Sequence, residues 1–276
     1  MAPEIPTPPA LENLEIAIEG DVGVLTLNRP DAFNAMDPGM IAEFPVAFGW
    51  LADQAPLRAL IITGAGAAFC AGGDLNWFKK GMDDPDVDIV ASVRAGAETL
   101  HQGIVDLQRI PYPVIAAING PAAGAGLSLA LACDIRLCSD GDRTFLACAY
   151  GRIGVSPDGG MTYFLPRVVG PSRAVELLLN DPNLSPEAAL AEKLVSEVVP
   201  HDELMDRARA KAAKLGAKSP YYVRMAKSLV HSSLDHTLTE HLQLERHGIA
   251  DAMGTEDAAA AVTAFLSGGK SEFKGR

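Results

Sequence analysis

The feature that most constrains the fold is a pair of short, almost entirely apolar runs, each followed by a glycine-rich loop. The first run is LRALIIT over residues 57–63, and the second is VIAAI over residues 114–118. Such runs, rich in β-branched residues, are typical of strands that are covered on both faces. A helix predicted at about residues 91–108 supplies the crossover that two parallel strands need. The sequence therefore predicts a layered α/β core with a parallel sheet.

Further segments extend this core. Residues 14–19 alternate in side-chain character, and Gly20-Asp21 turns the chain into the run VGVLTL over residues 22–27, which predicts a β-hairpin. Asp37 followed by Pro38 predicts a helix that runs to about residue 52. Pro45 lies inside that helix and is expected to kink it.

The last third of the chain is different, because strand signals nearly vanish after residue 172. A capping box at Thr237 and Glu240 and the apolar run at residues 258–266 predict helices instead. Three regions are predicted, namely a flexible lead-in at 1–13, a core at 14–200 and a helical region at 201–276.

Composition and charge exclude several partners. The 276-residue chain carries 35 acidic and 23 basic residues, and its net charge is −12. This field repels phosphate polymers, so neither nucleic acid nor an anionic membrane is expected as a partner. The four cysteines form no CxxC pair, which predicts buried, reduced thiols in a cytoplasmic protein and no metal site. The longest apolar stretch, residues 113–133, contains an Asn-Gly-Pro turn, so no membrane span is expected.

The two glycine loops do not match the common cofactor motifs. They read GAGAAFCAGGDL over residues 64–75 and NGPAAGAGLS over residues 119–128. A dinucleotide fingerprint needs glycine where Phe69 stands, and neither loop continues into the Gly-Lys-Ser/Thr of a P-loop. No bound cofactor is therefore expected.

Two adjacent glycine loops can instead direct two backbone N–H groups at one oxygen. A helix predicted at residues 126–132 opens at the second loop, and its N-terminal dipole would add partial positive charge there. The result would be an oxyanion hole. The alternative is that small residues simply permit tight packing of strands and helices, and the residues alone leave both possibilities open.

Several motifs are similar to those of the enoyl-CoA hydratase/isomerase (crotonase) family, and they occur in order over residues 14–276. The motifs are NRP at 28–30, FNAM at 33–36, ITGxGxxFCAGxDL at 62–75, PVIAAINGxAxGxG at 113–126, CDI at 133–135, GxxPDxG at 154–160, AFL at 264–266 and FKGR at 273–276. The resemblance implies the α/β spiral of ββα units called the crotonase or ClpP-like fold, with a C-terminal helical trimerisation region. It also implies acyl-CoA thioester substrates and a homotrimer or dimer of trimers.

The resemblance also implies particular site residues. The thioester oxygen would be held by the backbone N–H groups of Ala71 and Ala125, and Arg29 is a weaker candidate for a phosphate contact. The implied substrate-binding residues are Ala71, Gly72, Gly73, Asp74, Leu75, Gly124, Ala125, Ser128 and Tyr150.

The carboxylates indicate which reaction the family resemblance favours. Hydratases of the family use two glutamates, and the matching positions here are Ser128 and Tyr150. Asp158 matches the acid of Δ3,Δ2-enoyl-CoA isomerases and of ring-opening isomerases of the phenylacetate pathway. One carboxylate suffices to move a proton between two carbons. We therefore expect an enoyl-CoA isomerase with Asp158 as acid and base. The alternative role for Asp158 is an N-cap of a helix over residues 159–163.

Four other functions remain open at this level. The first is an enoyl-CoA hydratase with displaced catalytic groups, and the second is a non-catalytic acyl-CoA-binding protein. The third is a serine thioesterase that uses Ser128 with His101. The fourth is a 4-chlorobenzoyl-CoA dehalogenase in which Asp158 is the nucleophile and His101 assists. A single histidine on an amphipathic helix is more often a packed or surface residue, and that is the expectation for His101.

Overall fold

A central sheet of six strands organises the chain in a computed structural model that describes residues 5–276. The strands are β1 (Leu14–Glu19), β2 (Val22–Leu27), β3 (Ala59–Gly64), β4 (Val114–Ile118), β5 (Ala122–Ala123), β6 (Ile135–Ser139), β7 (Leu146–Ala147) and β8 (Glu197–Val199). The order in the large sheet is β1-β2-β3-β4-β6-β8, while β5 and β7 pair separately. Only β1 and β2 are antiparallel, and every other pair is parallel. The predicted hairpin and parallel α/β core are thus confirmed.

Eleven α-helices surround the sheet in the described part of the chain. They are α1 (Pro38–Asp53), α2 (Leu75–Asp83), α3 (Ile89–Arg109), α4 (Ala125–Ala132), α5 (Met161–Val169), α6 (Pro171–Asn180), α7 (Pro186–Ala191), α8 (Leu204–Gly216), α9 (Pro220–Ser232), α10 (Leu238–Met253) and α11 (Glu256–Leu266). The sequence predicted α1, α3, α4, α10 and α11 but missed α2. Its apolar residues Leu75, Phe78 and Met82 do recur at helical spacing, but the helix is short and none of its residues is fully buried.

Helix starts follow the capping signals. The Asp37 carboxylate accepts a hydrogen bond from the Met40 N–H, and Thr237 and Glu240 form the predicted capping box. Helix α1 continues through Pro45 to residue 53, so the interior proline does not end it.

The close approach of α3 to α1 depends on a missing side chain. A Cβ at Gly103 of α3 would lie 2.7 Å from the Cβ of Phe44 in α1. Gly103 therefore allows the two helices to touch along the large core, where Phe44, Phe48 and Phe69 are almost fully buried.

The second face of the sheet is covered by α8. Leu204, Ala208 and Ala212 of this helix form one buried cluster with sheet residues such as Ile61 and Ala117. Both faces of the parallel strands are therefore buried, which explains why β3 and β4 are continuous apolar runs. Helix α8 therefore packs on the sheet, although the sequence analysis assigned residues 201–276 to a separate helical region.

Part of the predicted flexible lead-in, 1–13, lies outside the described residues, which begin at residue 5. Ile5 packs against the core, and the backbone N–H groups of residues 12–14 donate to the Glu43 carboxylate. The end of the lead-in is therefore attached to α1.

The four cysteines are free and buried, as predicted. Burial raises the pKa of the Cys70 thiol to about 12, so it stays protonated at neutral pH.

From residue 5 to residue 276, no helix has the length and apolar character needed to cross a bilayer. The same residues contain no group of three or more side chains suited to hold a metal ion.

Two glycines of α3 provide a matched test of the α1–α3 contact. Gly96→Ala should raise the free energy of unfolding by about 0.5–1 kcal/mol, because nothing lies within 4 Å of the new Cβ and alanine favours helices. Gly103→Ala should lower it by about 1 kcal/mol or more, because overpacking outweighs the same gain in helix propensity. Urea denaturation at equal protein concentration measures both, and an equal effect of the two substitutions would contradict the packing described here.

Candidate active site

The two glycine loops lie side by side at the carboxyl ends of β3 and β4, joined by backbone hydrogen bonds. The Cys70 N–H donates to the Pro121 carbonyl at 3.1 Å, and the Ala123 N–H donates to the Cys70 carbonyl at 3.0 Å. Open α/β sheets bind ligands at this edge, so the contact places both loops where a site is expected.

Several glycines are required for this contact. A Cβ at Gly64, Gly120 or Gly126 would lie 2.2 Å from a backbone carbonyl oxygen of the first loop, which no side chain can tolerate. Gly72 and Gly124 have φ values of 98° and 53°, a region that favours glycine. The tight-packing explanation is therefore correct for Gly64, which lets the first loop fold on itself, and for Gly120 and Gly126, which let the second loop touch the first.

Two asparagine side chains fix the first loop from its ends. Asn119 Nδ2 donates to the Gly64 and Gly66 carbonyls, and its Oδ1 accepts from the Gly64 N–H. Asn34 Nδ2 donates to the carbonyls of Ala65 and Ala68. The two side-chain amides replace the strand-to-strand hydrogen bonds that the backbone loses where β3 ends. They therefore keep the loop in one conformation.

The structure corrects one of the two predicted amide donors. The Ala71 N–H donates to the Phe33 carbonyl at 3.0 Å, so it is not available to a ligand. Residues 36 and 73 form a parallel bridge, in which Met36 bonds to the carbonyl of Gly72 and the N–H of Asp74. The Gly73 N–H between them has no acceptor within residues 5–276, and it is the free amide of the first loop.

The second predicted donor, Ala125, is retained. Ala125 is the first residue of α4, and its N–H has no acceptor in the part of the chain that the structure describes. A Cβ at Gly72 would lie 3.5 Å from the Ala125 nitrogen, so the free amides of Gly73 and Ala125 belong to touching loops. The positive end of the α4 dipole lies at the same place.

Ser128 and Tyr150 clamp the backbone of Asp158. The Tyr150 hydroxyl donates to the Asp158 carbonyl at 2.8 Å, and Ser128 Oγ lies 2.9 Å both from that carbonyl and from the Tyr150 hydroxyl. Burial raises the pKa of Tyr150, so its hydroxyl remains a donor at neutral pH. Ser128 lies about one helical turn after Ala125, so the clamp holds the Asp158 backbone against the N-terminal part of α4.

The Asp158 side chain contacts His101, which projects from α3. His101 Nε2 lies 2.5 Å from Asp158 Oδ1, and the two side chains are 54% and 37% exposed. The N-cap interpretation of Asp158 is wrong, because α5 begins at Met161 with Gly160 as its cap. His101 is on the surface as expected, but it is paired with the candidate base.

Asp74 and Arg29 have structural contacts. Asp74 Oδ1 accepts from the N–H groups of Asn76 and Trp77 and so caps α2. Arg29 Nη2 lies 3.1 Å from a carboxylate oxygen of Asp74 and 3.1 Å from one of Asp37. Two carboxylates therefore balance the charge of Arg29, which weakens its candidacy as a phosphate ligand.

The geometry does not favour a serine thioesterase. Ser128 is fully buried, and its hydroxyl contacts the Gly124 carbonyl, the Asp158 carbonyl and Tyr150. His101 faces Asp158 instead, so no base contacts the serine within the described residues.

A cavity of about 230 Å³ lies away from these loops. It is lined by Leu57, Arg58 and Tyr112, which precede β3 and β4, and by residues of α9. It therefore opens at the opposite end of the strands from the free amides. We place the candidate site at the glycine loops because the free donors and the carboxylate are there.

The family model described as enoyl-CoA hydratase/isomerase matches residues 17–276. The chain belongs to the enoyl-CoA hydratase/isomerase family. A 1,2-epoxyphenylacetyl-CoA isomerase from Escherichia coli is 35% identical over 94% of this chain and 97% of its own length. A short-chain-enoyl-CoA hydratase from Clostridium acetobutylicum is 32% identical over 96% of this chain and 99% of its own length.

Solved structures confirm the crotonase fold. The crystal structure of an enoyl-CoA hydratase from Bacillus anthracis aligns with a TM-score of 0.87 at 30% identity, over 96% of this chain and 100% of that one. Membership of the enoyl-CoA hydratase/isomerase family means that the chain is an enzyme that acts on acyl-CoA.

Sequence reasoning missed the free amide of Gly73, and it linked His101 to Asp158 only through the dehalogenase alternative. The adjacent Gly72-Gly73 pair was a usable signal for the amide, because glycine permits close approach of a ligand to the backbone. No local signal could have found the His101 contact, since its two residues are 57 positions apart.

Two buried tyrosines provide a matched test of the clamp. Tyr150→Phe and Tyr112→Phe each remove a hydroxyl that donates to a backbone carbonyl, that of Asp158 or of Leu51. Each should lower the free energy of unfolding by about 1 kcal/mol. Only Tyr150→Phe should also lower kcat on an enoyl-CoA substrate, because only it loosens Asp158. Equal activity losses in the two variants would show that the clamp has no special role.

Proposed function

We propose that this member of the enoyl-CoA hydratase/isomerase family is an enoyl-CoA isomerase that shifts a double bond from the Δ3 to the Δ2 position. One observation carries the proposal. By family resemblance, Ser128 and Tyr150 stand where hydratases have their two glutamates, and the hydroxyls of both bind the backbone carbonyl of Asp158. One carboxylate beside two free amides is sufficient for a proton shift along an acyl chain.

In the proposed reaction, the free N–H groups of Gly73 and Ala125 bind the thioester oxygen. Asp158 removes a proton from C2, and the electrons of that C–H bond enter the thioester as a dienolate. The negative charge on oxygen is stabilised by the two amides and by the α4 dipole. Asp158 then returns the proton to C4, the C2–C3 double bond forms and the thioester carbonyl is restored, so the reaction needs no other reactant.

Ring-opening isomerisation fits the same residues, because it also begins from a thioester held at its carbonyl oxygen. The similarity to the Escherichia coli protein named 1,2-epoxyphenylacetyl-CoA isomerase supports testing an epoxide thioester as well.

Hydration is the second candidate, and the Clostridium relative named short-chain-enoyl-CoA hydratase favours it. A hydratase must hold and activate water in addition to moving a proton at C2. With Ser128 and Tyr150 both bonded to the Asp158 carbonyl, Asp158 would have to perform both tasks.

The reaction is tested by mass-spectrometric and NMR product analysis with 2-enoyl-, 3-enoyl- and ring-epoxide CoA thioesters. We expect conversion of the 3-enoyl thioester without a change in mass. A mass increase of one water from the 2-enoyl thioester would establish hydration instead, and chloride release from 4-chlorobenzoyl-CoA would establish the dehalogenase activity.

The role of Asp158 is tested by Asp158→Asn, with Asp142→Asn as the control on an exposed loop position. Loss of the base should reduce kcat by at least about 10²-fold, in the range of general acid–base catalysis. The control should retain the wild-type kcat. Unchanged turnover of the 3-enoyl thioester by Asp158→Asn would exclude Asp158 as the acid and base.

We also propose that the protein assembles as a homotrimer or a dimer of trimers through the helical C-terminal region. The support is a set of strongly exposed apolar side chains on and beside α9, α10 and α11. These are Val230, Leu234, Leu238, Ile249, Phe265 and Leu266, each at least 64% exposed in the single chain. Exposed apolar surface of this extent marks a contact with another molecule. Light scattering should give three or six times the 29.0 kDa chain mass, and a monomer would contradict the proposal.

A further inference from the structure

The carboxylate of Asp158 is held by one of its two oxygens. Oδ1 lies 2.5 Å from Nε2 of His101, whereas Oδ2 has no hydrogen-bond partner among residues 5–276. The backbone of the same residue is fixed independently by Tyr150 and Ser128. Because both the backbone carbonyl and Oδ1 of Asp158 are held, Oδ2 points in a single direction.

An ionised Asp158 can only accept a hydrogen bond, so Nε2 of His101 is the donor in this contact. Nδ1 of this histidine has no partner in the described chain, so no acceptor within the protein competes for the ring proton. A carboxylate oxygen is a strong acceptor, and a ring N–H at Nε2 satisfies it.

Within the described residues, Asp158 is the charged side chain that hydrogen-bonds His101. Helix α4, which packs beside α3, has no charged residue, and Arg152 from the loop before Asp158 is paired with Asp181. On α2, Lys79 is paired with Asp83, and on α3 itself Asp106 is bound by Gln102 and Arg109.

We propose that His101 is a positioning residue. It donates Nε2–H to Oδ1 of Asp158 and thereby makes Oδ2 the oxygen that removes and returns the substrate proton. The inference rests on the proposed isomerase function and adds which oxygen reacts and what holds it. A carboxylate with free rotation about its last side-chain bond would present either oxygen, and a misplacement of about 1 Å at a reacting group can cost about 10²-fold in rate.

The activity test compares two replacements of one side chain. His101→Gln keeps an N–H donor the same number of bonds from Cα, whereas His101→Leu removes it. We expect His101→Leu to reduce kcat for the 3-enoyl thioester by about 10–100-fold and to leave KM within about threefold of wild type. His101→Gln should recover most of kcat. Glu98→Leu, one turn earlier on the exposed side of α3, controls for loss of a polar group from this helix and should keep the wild-type kcat.

A second measurement does not depend on turnover. Nitrogen–proton correlation spectra of the imidazole should show Nε2 protonated in the wild type, with a downfield Hε2 signal that moves upfield in Asp158→Asn. If Nδ1 carries the proton, or if the spectra of the two proteins agree, the hydrogen bond does not exist and the proposal is overturned. Equal kcat losses in His101→Leu and His101→Gln would also overturn it.

The two measurements separate this proposal from the isomerase function. If the wild type converts none of the CoA thioesters while the imidazole signal responds to Asp158→Asn, the proposed function fails and the side-chain contact stands. If the wild type is active and His101→Leu is equally active, the function stands and the positioning role fails.

Discussion

The site depends above all on the backbone contact between two glycine loops. The amide and carbonyl of Cys70 bond to residues of the second loop, and this close contact requires that Gly120 and Gly126 lack a Cβ. Backbone groups in such contact cannot shift without losing hydrogen bonds that water could not easily replace. The free amides of Gly73 and Ala125 are thus held in place before any ligand arrives, which is the condition under which hydrogen-bond donors stabilise developing charge effectively.

The same helix that supplies one amide also positions the carboxylate. Ala125 begins α4, and Ser128, one turn later, joins Tyr150 in binding the carbonyl of Asp158. The positions that carry the glutamates of the hydratases by family resemblance therefore have a different contact here, because their hydroxyls hold the backbone of Asp158, the candidate acid. This arrangement makes the electrophilic and the basic parts of the site one rigid unit. It also explains why Ser128 is buried and bonded rather than available as a nucleophile.

Much of the architecture could be predicted from local patterns. The apolar runs at β3 and β4, the capping signals at Asp37 and Thr237 and the hairpin over residues 14–27 all depend on near neighbours in the chain, and the structure confirms each of them. Helix α2 was missed although Leu75, Phe78 and Met82 recur at helical spacing, since it is short and none of its residues is fully buried. The position of α8 on the second face of the sheet also needed the structure, since its small buried residues Ala208 and Ala212 resemble those of any short helix.

The sequence by itself determined the family, the parallel core and the glycine loops, and it indicated Asp158 as the candidate acid. Those conclusions depend on residue types at fixed spacings along the chain. The tertiary structure decided that Gly73 rather than Ala71 has the free amide, and that His101 meets Asp158. The physical reason is the same in both cases. The direction of an amide or a side chain is set by its partner in space, and the partners here, Phe33 and Asp158, lie dozens of residues away in the chain.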